Sequence, residues 1–360
     1  MNRPFPSILM AMAVLAVLIA SCSSNAADET TSTTTTTLPP TTTTTLPPTT
    51  TRATTTTTIP EVEVSDAVNG LPADPDLIDR RVVAIKIDNH RDARPQSGVE
   101  QADAVYEILV EGGITRLLAL FHQTDVDYVG PNRSGRPTDA TLVSALAGAP
   151  FQISGAQGWV QDIFRADGLN VVYDNGTTTY RMPHRSAPHN LYTSSILIRD
   201  WADAHDWPDE NPGNLFTFGE ATPGEASATD VTIPFSGSTY ARWEWDGTTY
   251  ARYQGSEPHM WVDEDGASGQ LTFDTVIALV VDEFIAKNPA GSGTTLPTAV
   301  TVGSGDAYVF TGGQVISGTW ERESEEDRFT LYGSDGEEIV LAPARLWISL
   351  VPDTQTITWE

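Results

Sequence analysis

The chain has 360 residues, 48 of them acidic against 20 basic, which leaves a formal net charge of −28. A surface that acidic repels phosphate backbones and anionic headgroups, so nucleic-acid binding is excluded as a function class. The single cysteine excludes a disulfide framework and a thiolate metal site.

Residues 1–21 read as a leader. Arg3 precedes a continuous apolar run from Ile8 to Ala20, which is shorter than the roughly 20 residues a membrane-spanning helix needs. The tetrad Ile19-Ala20-Ser21-Cys22 resembles the lipobox at which bacterial lipoproteins are cleaved. Cys22 is therefore expected to become the lipidated mature N-terminus, holding the protein to the extracytoplasmic face of the cell membrane. Within residues 22–60 the chain from Thr30 on is threonine runs broken by Leu38-Pro39-Pro40, Leu46-Pro47-Pro48 and Ile59-Pro60. Such a segment cannot bury enough apolar area to offset its ordering entropy, and it is expected to be a disordered, extended Thr/Pro stalk. Whether it carries sugars or is a bare spacer stays open.

The remaining length exceeds what one core usually organises. We expect an α/β domain over 61–213 followed by a β-rich domain over 214–360. In the first, Val82–Ile87 reads as a strand ending in Asp88-Asn89-His90, Ala104–Val110 as a second and Arg116–His122 as a third, with Phe151–Ile153 a later buried one. The link Glu111-Gly112-Gly113-Ile114-Thr115 is short enough for an antiparallel hairpin. Pro137–Leu146 reads as a helix with proline in its first turn, and Ser194–His205 as another behind polar caps. Beyond Gly213, Trp243-Glu244-Trp245 and Thr249–Tyr253 flank Asp246-Gly247, a strong hairpin signal. Val276–Val281 reads as a fully apolar strand. Alternation places Phe216 with Phe218, and Trp243 with Trp245, on single faces of a sheet, where core is the simpler role than a sugar platform.

Three stretches carry a more specific message: Val83–Gly98 with its Asp88-Asn89 and Arg94-Pro95-Gln96-Ser97-Gly98, Ala102–Arg116, and Val129–Pro137 with Arg133-Ser134-Gly135-Arg136-Pro137. Together with Ala187–Thr193, Tyr250–His259 and Gly312–Trp320 they resemble the YerB-like lipoprotein family, a bacterial domain of unknown function with N- and C-terminal parts. The resemblance spans almost all of the chain past Leu71. It implies a two-part extracytoplasmic protein and brings no established reaction with it. Gly135 stands where the family often has Ala, which touches only local backbone geometry.

From the residues themselves, Glu107 and Glu111 are two strand periods apart and are expected on one sheet face, opposite a returning Arg116. Arg91, Arg94, Arg133 and Arg136 lie in loops stiffened by Pro95, Pro131, Gly135 and Pro137, and in so acidic a chain they suggest recognition of a carboxylate or phosphate. Helix initiation at Pro137 adds backbone donors beside Arg136. The competing role for these arginines is to neutralise the chain's own Asp88, Asp92, Asp103 and Asp139. Asp88 and Asn89 with a glutamate are hard oxygen donors of the kind Mg²⁺ or Ca²⁺ takes, although no spacing enforces convergence and no cofactor is otherwise expected. Gln96, Ser97, His189, Asn190 and Tyr192 complete the candidate set. No Gly-x-Ser-x-Gly, His-Glu-x-x-His or phosphate loop is present, so catalysis is unsupported. Three readings follow: a lipid-anchored binding protein for a cell-wall component or an envelope membrane protein, an enzyme on a phosphorylated or glycan envelope precursor, or a structural partner of envelope proteins.

Overall fold

In the computed structural model, which describes residues 64–360, the branched run Val83–Asp88 forms β1 and is buried along its whole length. Burial on both faces follows from its place inside a covered sheet. Ala104–Leu109 (β2) and Thr115–Phe121 (β3) make the expected antiparallel hairpin, and β3 pairs antiparallel with β1. Helix α1, Pro137–Ser144, starts where the Asp139 carboxylate accepts the Arg136 N–H at 2.7 Å. Phe151–Gln152 (β4) runs parallel to β1, α2 spans Gly158–Ala166, and Val171–Val172 (β5) extends the sheet. A small hairpin of Thr179–Arg181 (β6) and Leu191–Thr193 (β7) leads into α3, Ser195–Ala204, whose first amides donate to the Ser194 hydroxyl.

The C-terminal half is strand after strand. Thr275–Val281, Gly303–Thr311, Gln314–Arg322 and Thr330–Gly333 continue the same sheet, and Leu346–Pro352 lies between Thr275–Val281 and β2, parallel to both. The α/β half and the β-rich half thus share one sheet. The change near Gly213 is a change of secondary structure and not a break in hydrogen bonding. Helices α1 and α2 cover one face, where Leu142 and Phe164 meet Leu118, Leu120 and Leu346. The other face meets a second sheet built from Asp230–Pro234, Tyr240–Trp245 and Tyr250–Gln254, with Val231, Trp243 and Tyr250 against Ile85, Leu117 and Trp347.

Two local expectations are corrected. Phe216 and Phe218 are in irregular chain, with only an isolated bridge from Phe218 to Leu341, although Phe216 is buried as core. Glu111 does not continue the ladder of Glu107: β2 ends at Leu109, and Gly112 at φ 79° and Gly113 at φ 70° turn the chain into a 3₁₀ segment, Glu111–Gly113. The leader, Cys22 and the Thr/Pro tract lie outside the described residues. No helix among the described residues is long and apolar enough to cross a membrane.

Candidate functional site

Strand register sorts the candidate residues onto two faces. Asp88 stands directly across from Arg116, so these two share a face with Lys86. Glu107 pairs with Leu117 and therefore points the opposite way from Arg116.

On the Asp88 face the charges are largely consumed internally. Arg116 donates to the Ser134 carbonyl at 2.7 Å and reaches Glu111 at 3.3 Å, while Arg136 donates Nε–H to Glu111 at 2.7 Å and also binds it through Nη2. Burial works against the Glu111 charge, but the Arg136 hydrogen bond and the two guanidinium charges prevail and hold this carboxyl down at about 2. Burial, with Arg136 as a like charge beside it, brings Arg116 down to about 10. Beneath them Lys86 and Asp139 form a fully buried pair at 2.6 Å. Arg136 and Glu111 are thus architectural partners that anchor the start of α1.

On the other face lies a polar network sealed from solvent. Arg252, at 0% exposure, donates twice to Glu107, also 0% exposed, at 2.7 and 2.8 Å. Its guanidinium lies over the Trp347 ring at 4.5 Å and over the Trp243 ring at 5.5 Å. Glu107 further accepts from Thr115 at 2.7 Å and from the Trp347 indole at 3.0 Å. Arg252 also donates to Nδ1 of His259, whose Nε2–H donates to Gln96 at 2.7 Å. The Gln96 amide then donates to Asn89 and to the Asp88 carbonyl, both at 3.0 Å, and Asn89 donates to Thr115 at 2.8 Å and to Gln254 at 2.9 Å. The Arg252 N–H that faces His259 finds an acceptor at Nδ1 only if the imidazole is neutral. Burial, then the Arg252 and Arg94 charges, push its pKa well below the usual 6.5.

Beyond the end of β1 lies an open groove of about 760 Å³ lined by Asp92, Arg94, His184, Arg185, Ser186 and His189 among others. The loop that carries the last four is tied down by Arg185, which donates to the Ala93 carbonyl at 2.8 Å and to that of Pro95. His189 Nδ1 lies 2.7 Å from the Asp88 carboxylate, itself only 1% exposed, and Arg133 Nε stands 3.1 Å from the same oxygen. Arg94 differs from the other arginines. Its guanidinium makes no hydrogen bond or ion pair with the described residues, and its Nε is buried without a partner. Burial, then the nearby Arg252 charge, lower its pKa, so the charge is held at a cost.

Of the residues selected from sequence, Arg94 and His189 line the groove, with Asp88 and Arg133 behind His189. Asn89, Gln96 and Glu107 belong to the sealed network, and Glu111, Arg116 and Arg136 to the ion pairs at α1. Ser97 and Tyr192 are buried with unpartnered hydroxyls, and Tyr192 stacks on Tyr128 at 4.6 Å. Asn190 accepts from Arg181 at 2.9 Å. Sequence reasoning passed over Arg252 and Lys86. A basic residue between apolar neighbours in each strand was the available signal.

Residues 68–207 match the family model described as the N-terminal domain of a protein of unknown function (DUF3048), and residues 231–348 match its C-terminal domain. The chain belongs to this family. A relative in Bacillus subtilis (strain 168), named "Putative lipoprotein YerB", is 27% identical over 301 residues, which is 79% of this chain and 86% of that protein. The crystal structure of YerB protein from Bacillus subtilis aligns with a TM-score of 0.71 at 24% identity, covering 82% of this chain and 99% of that one. The two matched segments of the family meet in the Glu107–Arg252 pair, one partner from each.

Proposed function

We propose that the protein is a lipid-anchored, extracytoplasmic binding protein of the cell envelope, and that the Arg94 groove recognises an anionic group on a cell-wall component or on a membrane-protein partner. The lipobox-like Cys22 and the lipoprotein name of the relative support the anchor. One observation carries the recognition reading: in a chain this acidic, Arg94 is half-buried at a groove and contacts no carboxylate among the described residues. Glu107 acts on Arg94 only from a distance, and a guanidinium fork without a contacting carboxylate is suited to a carboxylate or phosphate from outside.

The test is co-sedimentation of the purified full chain, in detergent, with cell-wall fragments and, separately, with envelope membranes. Arg94→Gln should weaken retention at least about tenfold, the equivalent of one charge-assisted hydrogen bond. Arg91→Gln is the control, because the Arg91 side chain is 82% exposed and touches only Asp92. Equal retention of wild type and Arg94→Gln overturns the proposal. The enzymatic reading has the Asp88–His189 dyad in its favour, since a buried carboxylate orients an imidazole as in general-base pairs. Among the described residues, however, no hydroxyl or thiol is hydrogen bonded to the other ring nitrogen.

A further inference from the structure

At the edge of the groove, where Asp92 and His189 line it, lies a second, chemically distinct set of groups. One donor atom from each of His90, Asp92 and His189 lies within 4.8 Å of the others. We propose that these three residues form a binding site for a borderline divalent transition-metal ion of the zinc class, with two imidazole nitrogens and one carboxylate oxygen as ligands and an open position toward the groove.

The donor set decides the metal class. Two imidazoles suit zinc, cobalt, nickel and copper, whereas magnesium and calcium select oxygen. The spacing is close to what coordination requires. Bonds near 2.0–2.1 Å put tetrahedral ligands about 3.4 Å apart, and His90 Nδ1 stands 3.5 Å from the Asp92 carboxylate. The third ligand is oriented from behind. Asp88 holds His189 Nδ1 at 2.7 Å and is itself fixed by the His90 N–H at 3.0 Å and by Arg133 at 3.1 Å. This arrangement leaves Nε2 of His189 as the free donor, and a carboxylate on the far nitrogen is the support that metal-binding histidines typically have.

Coordination also implies a movement. The two imidazole rings stack at 4.9 Å with planes only 10° apart, and lone pairs in parallel planes cannot converge on one ion. One ring must turn. The His90 side chain is 36% exposed and Asp92 60%, so they adapt at little cost, His90 giving up the weak 3.2 Å bond its Nδ1 accepts from the Asp92 N–H. Arg94, Arg133 and Arg185 oppose a cation here, while Asp88 and Asp92 offset part of that charge. A bound ion would in turn strengthen the groove's preference for anions, but the metal site stands on its own residues and does not need Arg94.

The experiment uses untagged full chain in detergent, stripped with chelator and titrated with Co²⁺ by visible absorption and with Zn²⁺ by equilibrium dialysis. One equivalent should bind, with the ligand-field absorption of a nitrogen-bearing site. His90→Ala and Asp92→Asn, both in an exposed turn that the core does not need, should each weaken binding at least about tenfold, and Asp88→Asn should do so by about 10- to 100-fold. Substoichiometric binding, full competition by Mg²⁺, or unchanged affinity in His90→Ala overturns the site. Failure here with a retained effect of Arg94→Gln on envelope retention would remove the metal and leave the anion groove. Circular dichroism of each variant confirms that a loss reflects the ligands.

Discussion

Replacing Glu107 by Gln should destabilise the protein by about 3–5 kcal/mol, the range for breaking a buried ion pair from one side. The geometry says why so conservative a change is costly. All four contacts to the carboxylate come from donors: Arg252 at 2.7 and 2.8 Å, Thr115 at 2.7 Å and the Trp347 indole at 3.0 Å. In either orientation a glutamine puts an amide N–H₂ against two of them. The Arg252 charge is then left at 0% exposure with His259, Gln254 and two indole faces, and cation–π contacts of about 2 kcal/mol do not offset a desolvation penalty of several. Arg252→Met leaves the opposite charge stranded and should cost a similar amount. Removing both charges in Glu107→Gln/Arg252→Met strands neither, so the double variant should recover at least about 2 kcal/mol relative to the sum of single losses. Urea unfolding followed by tryptophan fluorescence measures all three, because Trp243 and Trp347 sit on the pair. A loss below about 1 kcal/mol for Glu107→Gln, or strict additivity in the cycle, would refute the view that this pair joins the two halves.

Glu111 gives a pH signature. Its folded pKa of about 2 lies below the ordinary 4.5, so its contribution is complete above about pH 4.5 and is lost as pH falls toward 2. Its size is at most about 3 kcal/mol, reduced by partial exposure. The stability gap between wild type and Glu111→Gln should therefore narrow between about pH 5 and pH 2; a gap that stays constant in urea titrations across that range contradicts the assignment. Gly318→Ala should cost about 2 kcal/mol or more, because the new methyl would lie 1.9 Å from the Tyr332 carbonyl oxygen across the strand pair. Thermal unfolding at unchanged midpoint would count against that packing.

What the sequence made legible was what depends on near neighbours. The Asp246-Gly247 hairpin could be read because its turn is self-contained: Asp246 accepts the Thr248 and Thr249 amides at 2.8 Å and Gly247 supplies φ 100°. The β2–β3 hairpin and the capped start of α3 were legible for the same reason. Leu346–Pro352 was not. Its apolar run shows that it is buried, but nothing in it says that it inserts between β2 and Thr275–Val281, some 240 residues from one neighbour and 70 from the other. Because the halves join through that strand, their union in one sheet was hidden too.

The candidate site follows the same logic. A lone Glu107 among apolar residues announced that a buried partner must exist, since an unpaired carboxylate there would be untenable. It could not say which one. Arg116, nearest through the hairpin, was the local answer, and register rules it out by placing Arg116 on the other face. Arg252, 145 positions away, is the true partner. A groove that depends on loops 90–95 and 184–189 being clasped by Arg185 is likewise a product of tertiary folding. Among the described arginines, the one that remains after the internal pairings are assigned is Arg94. Its lack of a partner, more than its place in a motif, is the reason to look for its ligand outside the protein.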